Sequence, residues 1–444
     1  MTGDQDQHIA DSLFTDPFPS PERVRSARLR QNDRSDVGWP EPPREEAFAG
    51  MAGELVDLAD PHTEADRTAV LAHYIAAFAA AVGPGSHMMV GATRHPARIF
   101  PVIVGRTAKS RKGDSSQPAL RVFEAADPGL RRIDGLSTGE GLVHQLRDPI
   151  EQQEPVKERG SLVRYKAVVV DEGVRDKRLL VLEPELARVL KVMSRQGNTL
   201  SPLLRAAWDD GTLRVMTKSS PETATGAHII LTGHITLEEL RRDLDDVSIA
   251  NGFANRLLFL AVDRSKRIPN PQPFAGPAVD GFIHRLRDLL QAAASVGRME
   301  RSLEACDLWE QCYDELSADQ DGLAGALLAR GEAQVLRLSM IYALNEASPT
   351  IEVCHIQSAL ALWDYSVRSV KHLFAETLGH RVSDALLKAG RLAGQLSRTQ
   401  MRDHFGRNSH RGEIDRALAE LERQGLAHPS QHETGGRPAE VWKF

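Results

Sequence analysis

Val102-Ile-Val-Gly-Arg-Thr-Ala-Lys-Ser-Arg-Lys-Gly-Asp-Ser115 is the stretch that decides the fold class of this chain. An apolar run (Ile99, Phe100, Val102, Ile103, Val104) breaks at Gly105 into a loop dense in glycine, lysine, arginine and hydroxyls. That is the layout of a strand delivering the chain into a phosphate-cradling turn at a helix N-terminus, where unpaired N–H groups and the helix dipole favour an anion. The usual pattern, G-x-x-x-x-G-K-[ST], sets the lysine beside a hydroxyl. Here Lys112 is followed by Gly113, Asp114 and only then Ser115. Two placements of the phosphate lysine therefore compete, Lys112 and Lys109, and only Lys109 keeps a hydroxyl neighbour, Ser110. In the nucleotide reading, backbone N–H groups from Gly105 through Arg106, Thr107, Lys109 and Gly113 to Ser115 line the phosphates. Lys112 neutralises the β/γ oxygens and Ser115 reaches Mg²⁺. The competing reading is a basic surface loop that binds nucleic acid or nothing.

Three further stretches bear on that choice. Arg178-Leu-Leu-Val-Leu-Glu183 is an apolar strand ending in an acid, which puts Glu183 near Mg²⁺ and an attacking water if the strand runs parallel beside the loop strand. The plainer account makes Glu183 and Glu185 acids that suit a helix start. Ala227–Thr236 is another apolar strand ending in polar groups. It is expected between the loop strand and the Glu183 strand, with Thr232 or His234 facing the γ-phosphate; a capping or core histidine is the alternative. Asn251-Gly-Phe-Ala-Asn-Arg256 precedes the strand Leu257–Val262. Arg256 suits either an arginine finger acting on a neighbouring subunit, hence a homo-oligomer, or a structural pair with a carboxylate. Arg330 and Arg337, seven apart on one helical face, suit a phosphate-reaching lid or ordinary ion pairs.

At 444 residues, with 41% apolar and 26% charged content, the chain has the composition of a soluble protein of two or three domains. It contains no run of 18 apolar residues, and Met1–Asp11 is polar and acidic, so a cytoplasmic protein with no membrane partner is expected. The spacing of Cys306, Cys312 and Cys354 fits neither a disulfide framework nor a zinc site. Net charge is −6, but residues 381–444 carry eleven Lys/Arg against eight Asp/Glu, leaving −9 on the preceding 380 residues. A basic tail on an acidic body points to a polyanion as the partner of the tail.

The organisation expected is α/β. A Pro-, Asp- and Arg-rich arm covers residues 1–44, and a helical segment follows over 45–85. An alternating core over 86–270 has strands at 87–91, 98–104, 179–183, 213–217, 227–233 and 257–262, and helices at 114–126, 138–147, 184–195, 200–208 and 236–244. Residues 276–375 read as helical throughout, a lid. Residues 381–444 read as helix, helix, recognition helix and a hairpin tipped by Gly435-Gly436, the winged helix-turn-helix plan. Arg398, Arg402, Arg407, Arg411, Arg416 and Arg437 are its candidate DNA contacts, although winged domains also bind proteins.

The chain resembles a bacterial and phage family of uncharacterised P-loop ATPases, found alone or fused to primase domains in mobile elements. The stretches that carry the resemblance are Ala47–Glu54, Val104–Gly113, Gly135–Leu142, Asp176–Glu183, Gly197–Ser201, Gly233–Thr236 and Asn251–Arg256, within about residues 45–375. The resemblance implies a RecA/AAA-like P-loop NTPase core with a helical lid, related to plasmid and phage replicative helicases. It also implies ATP and Mg²⁺ as cofactors, and primase or other replication proteins as partners. No primase catalytic motif accompanies it. The expected function is a DNA-associated ATPase, helicase-like, in replication or maintenance of a mobile element. The alternative is a non-hydrolysing DNA-binding regulator or scaffold with a degenerate nucleotide site.

Overall fold

The structure is a computed structural model that describes residues 39–444 apart from 159–160, 217–221, 321, 375–380, 406–410, 424 and 433–438. The chain divides into two units, Met1–Trp39 and Pro40–Phe444, and the architecture below is that of the second. The expected arm therefore lies almost wholly outside the described residues.

Five strands form the central sheet: β1 (Phe100–Gly105), β2 (Arg132–Ile133), β3 (Arg178–Glu183), β4 (His228–Thr236) and β5 (Leu257–Val262). Their order is β5-β1-β4-β3-β2, and every neighbouring pair is parallel. β1 and β5 are buried at every position, as near-continuous apolar runs must be when helices cover both sheet faces. β4 lies between the loop strand and the Glu183 strand, as its sequence led us to expect. Glu183 is thus separated from the loop strand by one strand rather than lying beside it.

Helix α1 (Gly50–Ala59) and helix α2 (Arg67–Val82) precede the sheet, and α2 is buried at every position from Thr68 to Val82. Its alanine-rich surface lets it lie against β4, β1, β3 and β5. Asp66 caps its first turn by accepting from the Thr68 N–H at 2.8 Å. Helix α3 (Lys112–Ala126) follows the loop and packs on α2. Helices α4 (Leu186–Met193), α5 (Leu200–Asp209) and α6 (Leu237–Asp243) follow, two of them directly after the sheet strands β3 and β4.

Residues 276–375 are not helical throughout. Arg298–Arg301 and Thr350–Ile351 are strands that join His87–Val90 and Thr93–Pro96 in a separate four-stranded sheet, so the strand near residue 87 does not belong to the central one. Helix α7 (Pro277–Ala294) packs on α2 and α3, and helix α8 (Gly331–Leu344) on helix α9 (Val353–Phe374). Helix α9 also seals the edge strand β5: the Tyr365 hydroxyl donates to the Ala261 carbonyl, and the Ala261 N–H donates to Ser369 Oγ at 3.1 Å. An unpaired edge is thereby closed by side chains.

A long hairpin, Ile150–Glu158 with Ser161–Asp171, has no counterpart among the sequence expectations. The tail runs helix (Arg381–Ala393), strand (Gln395–Ser397), helix (Arg398–His404), helix (Arg411–Arg423) and hairpin (His428–His432, Ala439–Lys443). Its three strands form one antiparallel sheet over a core that includes Leu386, Leu396, Met401, Leu418, Leu421 and Trp442. The strand at 395–397 is an addition to the expected plan. The hairpin tip lies outside the described residues, as do Arg407 and Arg437. No described helix is long and apolar enough to cross a membrane.

Candidate functional site

Beyond Gly105 the backbone makes one 3₁₀ turn (Ala108–Ser110), passes through Arg111 at φ +55°, and enters α3 at Lys112. The turn is self-capped. The Lys109 N–H donates to Thr107 Oγ1 at 3.2 Å, and the Thr107 N–H donates to Ser110 Oγ at 3.3 Å. Lys112 folds back into this turn, buried, and its Nζ donates to the Thr107 carbonyl at 3.0 Å. A Cβ at Gly105 would stand 2.8 Å from Ser110 Cβ and 2.9 Å from both Cδ and Nζ of Lys112. Glycine at 105 is what makes room for the lysine. Lys109 is exposed, so the interior position belongs to Lys112. The N–H groups that open α3 have no partner within the helix.

Two carboxylates that sequence reasoning did not single out attend the loop. Asp263, just past β5, accepts from Ser110 Oγ at 3.2 Å and faces Arg106 at 3.6 Å. Glu239, in the first turn of α6, accepts from the Thr236 hydroxyl at 2.8 Å. Burial holds the Lys112 ammonium below its usual pKa, and the charges of Glu239 and Asp263 oppose that shift. A signal for both acids was present. Thr236-x-x-Glu239 is a capping box at a helix start, and Asp263 ends an apolar strand. In a parallel sheet both positions fall at the carboxyl ends of strands, where ligands bind.

The other expected residues lie elsewhere. Register sets Gly105 level with Thr236 and Val262, but Glu183 level with Gly233 and hence with Val102. Glu183 therefore stops three residues, about 10 Å, short of the loop. Its buried carboxylate accepts from the Leu136 N–H at 2.7 Å, and burial raises its pKa. Thr232 lies one residue deeper, with a buried hydroxyl that has no partner. Ser115 is fully buried, and its hydroxyl donates to the Lys112 carbonyl at 2.6 Å. Gly113 lies in the first turn of α3.

Arg256 precedes β5, at the end of the sheet opposite the loop. It is buried in its own chain and paired with Asp209 at 2.7 Å, as the structural alternative has it. Arg330 joins the same cluster, donating to Asn255 Oδ1 at 3.1 Å with its guanidinium 5.3 Å from the Trp208 ring centroid. Neither arginine belongs to the loop.

Of Thr232 and His234, His234 is the one whose ring feels the Lys112 charge. Its Nε2 lies 2.9 Å from Nε2 of His73 on α2, and both rings are buried. Burial first, then the Lys112 charge, pushes His234 down to about 4; burial, then His234, holds His73 well below its usual value. His228, whose Nε2 lies 2.8 Å from the Ala79 carbonyl, is pushed down to about 3, chiefly by burial. These folded-state values are depressed, so the unfolded chain binds more protons between about pH 6.5 and pH 4. Stability is therefore full above pH 6.5 and is lost as the pH falls through that window, with a slope of roughly 1.4 kcal/mol per pH unit per histidine. Urea unfolding at pH 7 and pH 5 is expected to show the loss, and His234→Gln to reduce it by that residue's share; a pH-independent midpoint in the wild type would contradict the assignment.

A groove of about 1070 Å³ opens beside the loop, on the outer side of α3. Arg111, Asp114 and Gln117 form one wall, and Ile268 with the proline-rich segment through Phe274 the other. His62 and Phe274 meet edge to face at 5.7 Å within it. Glu64 accepts from Arg264 (2.5 Å), from Arg111 (2.9 Å) and from the Ile268 N–H (2.7 Å), and the Arg264 guanidinium first, then the Ile268 N–H, hold its pKa down at about 2.

In the tail, Arg402 and Arg416 are exposed. Arg398 is ion-paired with Asp415 and with Glu440 at 3.2 Å, so its charge is already compensated. Arg411 opens the third tail helix.

The fold and this site define a mixed α/β protein with a lysine-bearing loop at the carboxyl end of a parallel sheet. No protein-family model matches the chain, and no curated protein matches it either.

Proposed function

We propose that this chain is a DNA-associated ATPase of the P-loop type, belonging to the replicative-helicase-related family that its sequence resembles. The observation that carries the reading is Lys112, folded over Gly105 at the start of a 15-residue helix that follows a buried parallel strand. An ammonium has three donors, and this one meets a single carbonyl in the loop, which leaves it fit to receive phosphate oxygens. ATP bound here supplies phosphates to Lys112 and to the N–H groups that open α3. The groove toward Phe274 accommodates the nucleoside. For Mg²⁺ the fit departs from the expectation: Ser115 is turned inward and Glu183 is remote, whereas Glu239 and Asp263 lie beside Lys112. These two acids are the groups that would hold the ion. The protein acts in the cytoplasm, in replication or maintenance of a mobile element, alongside a primase or other replication proteins.

DNA binding is assigned to the tail. Its order of helix, strand, helix, helix and hairpin is that of a winged helix, with Arg411–Arg423 in the place of the recognition helix. Of the arginines expected to touch DNA, Arg402 and Arg416 are exposed there. Removal of residues 381–444 is expected to abolish the salt-dependent part of DNA affinity. Affinity with an unchanged salt slope in the truncated protein would move DNA binding to the core.

The inward Ser115 hydroxyl favours one second reading, an idle nucleotide site in a DNA-binding scaffold. Phosphate release measured with and without single-stranded DNA separates the two. Turnover stimulated by DNA supports the motor; nucleotide binding without release supports the scaffold.

A further inference from the structure

The hairpin Ile150–Glu158/Ser161–Asp171 pairs with nothing else in the described chain, so both of its edges are open. A two-stranded ribbon standing alone in water is marginally stable, and an open edge is a template for another strand. The two edges differ. The first strand carries Glu151 and Glu154 on either side of two glutamines, and Pro155 in its middle, which removes one ladder donor. The second, which ends at Asp171, reads Arg164-Tyr-Lys-Ala-Val-Val-Val170 before it, a stretch with neither proline nor acid. Tyr165 is 60% exposed and Val169 45% exposed. The second strand is therefore the edge that accepts a partner.

We propose that this edge is a self-association surface and that its partner is the same strand of a second copy, antiparallel about a twofold axis. Between the bulges at its ends, Arg164–Val169 runs in unbroken register with Val156–Glu151. Two identical strands keep their hydrogen-bonding groups facing each other only if the twofold passes through a residue. Centred on Tyr165, it sets Arg164 opposite Lys166; centred on Lys166, it sets the ammonium against its twin. Both put like charges together. Centred on Ala167, it sets Tyr165 opposite Val169 and Lys166 opposite Val168. That register makes two aromatic–aliphatic pairs on one face and leaves the acidic, proline-bearing strands outermost. The product is a closed four-stranded sheet whose outer edges are protected against further addition. Pairing of the second strand with the first strand of another copy would meet Pro155 and continue without end. The surface stands independently of the nucleotide reading.

The test uses the full chain. Wild-type protein is expected to show a concentration-dependent dimer by sedimentation, and Tyr165→Lys/Val169→Lys to weaken self-association by roughly tenfold or more. In the Ala167→Cys variant the two new thiols meet at the axis. Mild oxidation should then give a disulfide-linked dimer that neither the wild type, with its three cysteines, nor Gln153→Cys gives. A wild type that is monomeric at every concentration overturns the proposal. So does a dimer indifferent to the lysine pair and not cross-linked through residue 167. Loss of DNA affinity in the lysine variant with unchanged mass overturns it too, since the ribbon would then serve nucleic acid.

Discussion

Lys112→Ala is expected to lower nucleotide affinity by about 100-fold or more, and Lys109→Ala to leave it nearly unchanged. The two lysines are three residues apart in one loop, so the contrast isolates position from overall charge. Lys112 is buried against Gly105 and Thr107, and a phosphate reaching it would bond to a partly desolvated ammonium. Charge-assisted hydrogen bonds of that kind contribute about 1.5–3 kcal/mol each. Lys109 sits in solvent, where screening leaves a single charge worth little. The unliganded fold does not need the Lys112 charge, because burial disfavours its protonated form. Thermal stability of the Lys112→Ala apoprotein is therefore expected to hold, and only the stabilisation by added nucleotide to vanish. Equilibrium titration with ATP reads the affinities. Equal losses in the two variants, or intact binding in Lys112→Ala, would sink the assignment of the phosphate lysine. Gly105→Ala should resemble Lys112→Ala, since the added methyl occupies the space in which the lysine lies.

The sequence was most legible where chain burial is complete. The strands at Phe100, Arg178, His228 and Leu257 announce themselves because a parallel strand covered on both faces reads as an unbroken apolar run. Their pairing order followed in part from where the polar residues fall at their ends. Arg132–Ile133 was illegible, two residues among charges whose pairing with β3 is decided by the tertiary fold. So were Arg298–Arg301, where Met299 is the lone apolar residue, and Thr350–Ile351; both pair with segments distant in sequence. The hairpin at 150–171 was missed because an exposed ribbon has no buried face to write a period into the sequence.

The site was legible at the loop and misread around it. Glu183 satisfies the form of an acid ending an apolar strand, but β3 ends three residues before β1 does, and strand ends are what a sequence reports least well. Glu239 and Asp263 carry strand-end signals in the sequence, but only register fixes which strand ends share a level with Gly105. Arg256 was expected at an interface because arginine beside asparagine suits a phosphate. The same side chain suits a carboxylate, and the three-dimensional neighbourhood decides between them.

That neighbourhood yields the second large effect: Arg256→Ala is expected to destabilise the fold by about 3 kcal/mol, and not to remove selectively a function supplied between subunits. Arg256 bonds Asp209 through two nitrogens, at 2.7 and 3.2 Å, and its guanidinium lies 5.6 Å from the Trp208 ring centroid. Trp208 and Asp209 end α5, and this helix terminus gathers four arginines. Arg98 donates to the carbonyls of Asp209 (3.2 Å), Asp210 (3.3 Å) and Ala227 (2.7 Å), Arg337 donates to that of Trp208 at 2.9 Å, and Arg330 approaches Asp209 at 3.9 Å. Cations suit the negative end of a helix dipole, which is how Arg98 and Arg337 are tolerated with so little access to water. Removing one partner of a buried pair costs about 3–5 kcal/mol when the other is stranded. Asp209 is partly exposed and keeps Arg330, so the low side of that range applies. Arg256→Lys should recover little, because a point charge cannot reproduce the two-nitrogen fork on Asp209. Denaturant unfolding measures the loss. Mixing Arg256→Ala with Lys112→Ala protein supplies the second readout, since a finger acting between subunits would be complemented in mixed assemblies and a structural arginine would not. An Arg256→Ala protein of wild-type stability that lacks ATP turnover, restored on mixing, would return Arg256 to the interface.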